Sequence, residues 1–153
     1  MEKLYIYKIR PEYARYLHNI DYRVSMKCEA RPFVGIITMG SGVQYLLSLT
    51  SQTTSMRLAK GCRKRSSSVT TFIRDRNGEE IAEILHNNMI PVKDGLYIKM
   101  EISAETNIYE SNEIRFFRKK HDNIISKAKK SVDSQKLTCL CRKVVHIPRY
   151  FSP

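Results

Sequence analysis

The spacing of apolar residues changes twice over the first part of the chain. Apolar and aromatic residues are concentrated from Lys3 to Arg10, which predicts a strand. Pro11 is favoured at the first position of a helix, and the apolar residues of Glu12 to Ile20 recur three and one positions apart, which is typical of a helix face. The polar stretch from Asp21 to Arg31 is predicted to be a surface loop.

Two apolar runs further along predict a first β-hairpin. Phe33 to Met39 and Val43 to Leu49 are separated by Gly40-Ser41-Gly42, whose glycines suit a tight turn. Residues 51–67 are rich in Ser, Thr and cations and show little apolar periodicity. They are predicted to form a long basic loop that leaves room for a short helix over Thr54–Lys60.

A second hairpin is predicted over Ser68–Arg74 and Glu80–Leu85, because these two runs flank an Asn-Gly pair, which is a strong turn signal. Met89–Val92 and Leu96–Ile102 are two further short extended segments. The first of these contains a proline, which has no backbone N–H to donate to a neighbouring strand. We therefore expect it at a sheet edge or at a strand end.

Apolar residues three to four positions apart indicate helix from Ile108 onward. The pair His121-Asp122 is a candidate break, with Asp122 as the N-cap of a second helix. The tail from Leu137 to Pro153 is ambiguous. Together these elements predict one α+β domain over residues 1–153, with a mainly antiparallel sheet or partly closed barrel, one early helix and C-terminal helices.

The composition is that of a globular protein. The chain has 153 residues, of which 42% are hydrophobic, and this length is enough for one core. No run approaches the roughly 18 apolar residues that a membrane span needs. The first residues also lack the apolar region and cleavage site of a signal peptide. We therefore expect a cytoplasmic protein.

The net charge of +12 is unevenly distributed. Residues 1–74 contain thirteen Lys and Arg against four Asp and Glu, residues 75–113 contain three against nine, and residues 114–153 contain eleven against two. Two basic flanks around an acidic middle are most simply explained by a polyanionic partner, and nucleic acid is favoured. An anionic membrane is the alternative, but it usually requires a basic amphipathic helix whose apolar face is free for lipid.

The sequence does not favour a metal site. The four cysteines have no paired C-x2-C spacing, so reduced thiols are expected at Cys28, Cys62, Cys139 and Cys141. A metal-dependent nuclease needs several carboxylates that converge on its cations. Acids are sparse where the basic residues lie, and the acidic middle is expected to be ordinary hairpin and strand surface.

RNA can be cleaved without a metal, because its own 2′-OH can attack the neighbouring phosphorus and leave a cyclic phosphate. The protein then needs a group that helps to remove the 2′-proton, a donor to the leaving oxygen, and donors or cations around the phosphorane. Candidates near predicted strand ends are Tyr22, Lys27, Arg31, Thr50 and Ser51. A surface or packing role is favoured for the isolated histidines His18, His86, His121 and His146.

Two groups of cations are candidates for contact with RNA phosphates. The first lies in the basic loop and comprises Arg57, Lys60, Arg63, Lys64 and Arg65. The second lies on the C-terminal helix and comprises Arg115, Arg118, Lys119, Lys120, Lys127, Lys129 and Lys130. The helical cations spread around more than one face, so only some of them can line a single groove.

Three motifs occur in order along the chain: Arg31-Pro32-Phe33-Val34-Gly35-Ile36-Ile37, then Tyr45-Leu46 with Leu49-Thr50-Ser51, then Asn88-Met89-Ile90-Pro91-Val92. In this order and at this spacing they resemble the ToxN/AbiQ-like family, the endoribonuclease toxins of type III toxin-antitoxin systems. Tyr5 to Asp21 and the helix around Ile114 to Lys130 also resemble the family, so the resemblance covers most of the chain.

The resemblance implies a core sheet akin to that of the Kid/MazF toxins. It also implies metal-independent, sequence-specific RNA cleavage by the 2′-OH route, without a cofactor. The implied inhibitor is a small RNA antitoxin, whose repeats fold as pseudoknots and close with toxin subunits into a ring-like complex. Such systems halt bacterial growth and can act against phage.

Candidate catalytic residues also follow from the resemblance. Thr50 and Ser51 match the catalytic Thr-Ser of the family at the end of a strand. Arg31 lies where the family commonly has Lys or Arg, just before the strand that contains the aromatic-x-Gly motif. These three residues are the main candidates.

The second catalytic cation is left open, because Gln52-Thr53 replaces the Pro-Lys that often follows in family members. Lys60 and Lys27 are the candidates for this cation. Tyr22 and Lys27 also fall near an active-site Tyr of some members, in a loop whose length differs.

Two other functions stay open on the sequence. Without the resemblance, a Thr-Ser at a strand end is more often a turn whose hydroxyls bond the local backbone. The chain would then be a non-catalytic basic RNA-binding module. The other possibility is a MazF-like toxin paired with a protein antitoxin.

Overall fold

The computed structural model describes residues 5–22, 32–38, 42–100 and 108–133. Within these ranges the chain forms six strands and three helices. In chain order they are β1 (Ile6–Ile9), α1 (Pro11–Ile20), β2 (Phe33–Thr38), β3 (Gln44–Thr50), α2 (Thr54–Ala59), β4 (Thr70–Arg74), β5 (Glu80–Val92), β6 (Tyr97–Lys99) and α3 (Ile108–Asp133). The ambiguous tail, Leu137–Pro153, lies outside the described residues.

The six strands form one sheet in the order β4-β5-β3-β2-β1-β6, and every pair of neighbours is antiparallel. The sheet is open, with β4 and β6 at its edges. The predicted α+β fold is therefore confirmed in its antiparallel-sheet form, and the sheet is not closed into a barrel. Both predicted hairpins are present, as β2 with β3 and as β4 with β5.

Met89–Val92 is extended and lies at the end of a strand, as predicted, but it is the last part of the long strand β5 and not a separate segment. The pairing of the 13-residue β5 with β3 shifts register between Leu85 and Ile90. Two adjacent asparagines in this interval interrupt the apolar alternation and make one strand look like two in the sequence. In the described part of the chain β4 pairs only with the first half of β5. The missing N–H of Pro91 therefore costs no hydrogen bond between β4 and β5.

Gly35 marks an irregularity in β2, where the register with β3 shifts between Val34 and Ile36. Its φ is 60°, in the left-handed region that glycine adopts without a steric cost. The Gly35 N–H donates to the Tyr5 carbonyl at 2.9 Å. The glycine of the aromatic-x-Gly motif therefore has a structural role in the sheet.

Each face of the sheet is covered by a different long helix. Neighbouring residues on a strand alternate between two buried clusters, as Phe33 and Val34 do on β2. Helix α1 packs Leu17 into the cluster that contains Phe33, and α3 packs Phe117 into the cluster that contains Val34. We refer to these two sides of the sheet as the α1 face and the α3 face.

Helix α3 is continuous over 26 residues, so the predicted break at His121-Asp122 is wrong. Phe117, Ile124 and Ala128 are fully buried and lie on one helix face on both sides of that pair. This apolar stripe outweighs the capping preference of Asp122, whose carboxylate lies 3.0 Å from the His121 Nδ1. None of the described helices is both long enough and apolar enough to span a membrane.

Candidate active site

Thr50 is the last residue of β3 and Ser51 follows it, so both hydroxyls lie where the chain leaves the sheet. The Thr50 Oγ1 accepts a hydrogen bond from the Gln52 N–H at 3.2 Å. Ser51 is exposed. The two residues therefore differ, because the Thr50 hydroxyl bonds the local backbone and Ser51 is an exposed residue just beyond the strand.

Thr50 belongs to a row of residues that crosses three strands. The register pairs Thr50 of β3 with Glu83 of β5, and Glu83 with Phe72 of β4. The neighbouring Leu49 belongs to the buried cluster on the α3 face, so the row lies on the α1 face. Lys64 of the basic loop lies over this row, with its Nζ 4.9 Å from the centre of the Phe72 ring. The basic loop and the Thr-Ser turn therefore share one side of the sheet.

Glu83 is the residue of this row that the sequence analysis missed. Its side chain is 0% exposed and forms an ion pair with Arg65. Burying an unpaired carboxylate destabilises a folded protein, and the ion pair with Arg65 offsets this cost at Glu83. The expectation that the acidic middle is ordinary surface is wrong at Glu83. A single acid inside the apolar run Ile81–Leu85 is the signal that could have identified it.

Arg65 also links Glu83 to the residues that follow Ser51. Its Nη1 donates to the Gln52 carbonyl at 3.3 Å, and its Nη2 donates to the Gln52 Oε1 at 3.2 Å. The Thr54 hydroxyl donates to the Glu83 Oε1 at 3.4 Å, and the Thr54 N–H donates to the Glu80 Oε1 at 2.6 Å. We refer to these five residues, Gln52, Thr54, Arg65, Glu80 and Glu83, as the polar clasp.

The two carboxyl groups of the polar clasp, Glu80 and Glu83, influence each other's pKa. Burial is the largest influence on the pKa of Glu83 and raises it, the hydrogen bond with Glu80 adds to the rise, and Arg65 acts against it. Burial alone would raise the pKa of Glu80 too, but hydrogen bonds with Glu83 and Thr54 outweigh it and lower that pKa. The pKa values of the two carboxyl groups are therefore shifted in opposite directions.

Of the other predicted catalytic residues, the structure describes two. Tyr22 follows α1 and is 81% exposed. Lys60 is the C-cap residue of α2 and is also exposed. Arg31 and Lys27 lie outside the described residues. The structure thus brings Thr50 and Ser51 together with the polar clasp. The catalytic roles of all the candidate residues stay predictions.

The cations of the basic loop differ in how freely they can reach a ligand. Arg63 and Lys64 are exposed. Arg57 is half-buried, and its Nε donates to the Arg63 carbonyl at 3.1 Å. Arg65, which the sequence suggested for phosphate contact, is half-buried and engaged with Glu83. Arg63 and Lys64 are therefore the better candidates for contact with RNA.

The basic residues of α3 belong to the helix that covers the opposite face. Arg118, Lys119 and Lys120 are exposed, and Arg115 is half-buried. The half-buried Lys127 donates from its Nζ to the carbonyl of Thr70, the first residue of β4, at 3.1 Å, and burial lowers the pKa of this lysine. The two basic groups therefore lie on opposite faces of the sheet, and Lys127 is partly engaged within the protein.

His86 is 0% exposed and lies on the α3 face. Its Nε2 is 2.8 Å from the Thr71 Oγ1. Burial, together with the charge of Lys127, lowers the pKa of His86 to about 4. The packing role predicted for this histidine is therefore confirmed. Of the remaining histidines, His18 and His121 are half-buried in α1 and α3, and His146 lies outside the described residues.

Metal ligands do not cluster in the described part of the chain. No group of three His, Cys, Asp or Glu side chains that could hold a metal ion occurs among those residues. Cys62 is an exposed free thiol, whereas Cys28, Cys139 and Cys141 lie outside the described ranges. That cleavage needs no metal stays a prediction.

Comparison of the sequence with protein families gives one match. Residues 5–146 match the family described as toxin ToxN, type III toxin-antitoxin system. The match covers all of the described elements, including the Thr-Ser turn and the polar clasp. Among individually curated proteins, no sequence matches.

The chain is similar to several solved structures. One comes from work on bacterial type III toxin-antitoxin systems, in which a non-coding RNA pseudoknot selectively inhibits the toxin. This structure has a TM-score of 0.69 and 24% sequence identity, and the alignment covers 86% of this chain and 79% of that chain. Another is AbiQ, described as a lactococcal anti-phage endoribonuclease of a type III system, with a TM-score of 0.71, 18% identity, and coverage of 93% and 90%. A third concerns a bacterial antiviral system regulated by a processed non-coding RNA, with a TM-score of 0.63, 20% identity, and coverage of 88% and 90%. At these identities the structures show a shared fold.

Proposed function

Because the chain belongs to the ToxN toxin family of type III toxin-antitoxin systems, we propose that it is an endoribonuclease toxin held inactive by an RNA antitoxin. The proposed reaction needs no metal: the RNA 2′-OH attacks the neighbouring phosphorus, the 5′-oxygen leaves, and the product ends in a 2′,3′-cyclic phosphate. The proposed antitoxin is a pseudoknotted RNA that closes with toxin subunits into a hetero-oligomer.

The observation that supports this proposal most directly is the exposed Ser51, which follows the last residue of β3. The phosphorane formed by 2′-OH attack has additional negative charge, which a preorganised hydroxyl donor stabilises. The hydrogen bond from the Gln52 N–H to the Thr50 Oγ1 helps to hold the turn that presents Ser51. Neither hydroxyl is asked to be a covalent nucleophile, because RNA supplies its own.

A cation beside the scissile phosphate is the second requirement, and we assign it to Arg31. A guanidinium offers a planar and permanently charged fork that suits phosphate oxygens. Phe33, two residues further along, pairs with Ser48, so the start of β2 and the end of β3 lie at the same end of the hairpin. Arg31 precedes this end of β2 in the sequence, which supports its assignment to the same phosphate as Ser51.

The similar structures and the charge support RNA as both substrate and inhibitor. AbiQ is described as an endoribonuclease, and another similar chain is a toxin that an RNA pseudoknot inhibits. The net charge of +12 and the exposed Arg63, Lys64 and Arg118 suit a polyanionic partner.

The test is cleavage of RNA by purified protein in the presence of a chelator, followed by analysis of the fragment ends. We expect fragments that end in a 2′,3′-cyclic phosphate. The Ser51→Ala protein should fold and bind the RNA antitoxin normally but cleave about 100 to 1,000 times more slowly, which is the usual effect of removing one preorganised donor. Ser55→Ala, at an exposed serine of α2, is the matched control and should cleave at the wild-type rate.

Single-turnover cleavage by correctly folded Ser51→Ala is the deciding measurement. A rate within about threefold of wild type would remove Ser51 from the mechanism, since removal of a transition-state donor costs far more. Cleavage that is abolished by the chelator would instead contradict the metal-independent route.

A second candidate function, a non-catalytic RNA-binding module, is favoured by the Thr50 hydrogen bond. An Oγ1 that accepts from the Gln52 N–H is what a strand-ending turn without chemistry also shows. In that case wild-type protein would shift the mobility of RNA without cutting it.

A further inference from the structure

Helix α2, which begins three residues after Ser51, has little apolar attachment to the protein. None of its six residues is buried, and Met56 and Leu58 are 54% and 59% exposed. A helix this short is not stable by itself in water. Contacts other than apolar burial must therefore hold this segment, and the polar clasp provides such contacts.

The polar clasp holds the chain on the far side of the catalytic turn. On the near side, Thr50 is paired with Glu83 in the sheet. On the far side, Gln52 receives hydrogen bonds from Arg65 at its backbone carbonyl (3.3 Å) and at its side-chain oxygen (3.2 Å). Ser51 lies between these two anchors, so its backbone is fixed from both directions.

Glu83 belongs to both anchors. Its backbone lies opposite Thr50, and its fully buried carboxylate pairs with the guanidinium that holds Gln52. Only a planar guanidinium has donors in a fixed fork that can meet the Glu83 carboxylate and two Gln52 oxygens at once. A lysine at position 65 would keep the charge but lose this geometry.

We propose that Arg65 and Glu83 are positioning residues, which place the Ser51 hydroxyl by fixing the chain on both sides of it. The inference rests on the proposed function, because it concerns the geometry of the same turn. Displacement of a catalytic group by about 1 Å can reduce a rate about a hundredfold. Since the Arg65 guanidinium is engaged within the protein, loss of the clasp should lower the cleavage rate much more than the affinity for RNA.

The test compares three variants with wild type in single-turnover cleavage at saturating RNA. Arg65→Lys keeps the charge and loses the fork, while Gln52→Ala removes one hydrogen bond and leaves the ion pair in place. Each should cleave at least about tenfold more slowly with RNA affinity within about threefold of wild type, as expected of a misplaced donor. Arg76→Lys, at an exposed arginine of the turn between β4 and β5, is the matched control and should behave as wild type.

Amide hydrogen exchange over residues 50–56 is the second measurement. It should be about tenfold faster in Arg65→Lys and unchanged in Arg76→Lys, while the sheet stays protected in both. Normal cleavage rates in both clasp variants, or unchanged exchange, would overturn the proposal. If wild-type protein fails to cleave RNA, the proposed function fails, and the exchange measurement still decides whether the clasp holds the turn.

Discussion

Glu83 and His86 are both completely buried on β5, three residues apart in sequence and on opposite faces of the sheet. Each has a cation nearby, Arg65 beside Glu83 and Lys127 near His86. The consequences are opposite, because a positive charge favours the ionised form of a carboxyl group and disfavours the ionised form of an imidazole. Arg65 is therefore a partner of Glu83, and Lys127 helps to keep His86 neutral.

The elements that cover the two faces explain this difference. On the α1 face, Glu83 lies beneath a loop that supplies a guanidinium, and this guanidinium also binds Gln52, next to the Thr50-Ser51 turn. On the α3 face, His86 lies beneath a helix with apolar buried residues, and among the described atoms its Nδ1 has no hydrogen-bond partner. Two equally buried ionisable groups on one strand thus differ in their partners, because Glu83 is paired through Arg65 with the chain next to Ser51, whereas His86 is held neutral among apolar residues.

Removing Arg65 is expected to have the largest effect on stability. Arg65→Leu leaves the Glu83 carboxylate buried without its cation, and this should lower the free energy of unfolding by about 3 to 5 kcal/mol. Adding Glu83→Leu should restore most of that stability, since no charge is then buried. Urea unfolding at pH 7 of the two single variants and the double variant measures the effect.

Lys127→Leu is the control for this experiment on the other face. Because His86 is neutral, its neighbouring cation can be removed at the cost of about one hydrogen bond, roughly 1 kcal/mol. Equal destabilisation in Arg65→Leu and Lys127→Leu would contradict the contrast between the two faces.

The pH dependence of stability should distinguish His86 from an ordinary histidine. Its pKa in the folded protein is about 4, below the ordinary 6.5, so the unfolded chain binds the proton more readily. The contribution of His86 is then fully present above about pH 6.5 and is lost as the pH falls toward 4, by about 3 kcal/mol in total.

His86→Gln should remove this pH dependence, because glutamine does not titrate and can still bond Thr71. Unfolding free energies of wild type and variant, measured from pH 7 to pH 4, should therefore converge as the pH falls. His18→Gln serves as the comparison. Parallel curves for wild type and His86→Gln would show that His86 is not held neutral by the fold.

Removing exposed cations should change RNA affinity differently on the two faces of the sheet, and this is the smallest of the expected effects. The slope of log affinity against log salt should become shallower when Arg63→Ala is combined with Lys64→Ala. The expected change is about 0.7 for each phosphate of single-stranded RNA that the variant no longer neutralises. Arg118→Ala combined with Lys119→Ala should flatten it less, because only the loop pair lies on the α1 face, to which Thr50 belongs. A larger change in the α3 pair would place the RNA on the α3 face.

The local pattern of the sequence was sufficient wherever periodicity and turn residues act over a few positions. Helix α1 begins at Pro11 as predicted, and the β2–β3 and β4–β5 hairpins pair as predicted. The Thr50-Ser51 turn lies at the end of β3, where the motif indicated it. These features depend on steric and hydrogen-bonding preferences within one short segment, so a single sequence contains the information.

Only the tertiary structure decided what joins distant segments. It made Met89–Val92 part of β5, kept α3 continuous through His121-Asp122, and brought Arg65 to a carboxylate 18 residues away. The alternation of residues along β5 shows that Glu83 lies on the face opposite to Ala82 and Ile84. It cannot show which segment covers the face of Glu83. Whether an acid on a strand faces water or a buried guanidinium depends on which remote segment packs over it, because the cost of burying its charge is set by that segment.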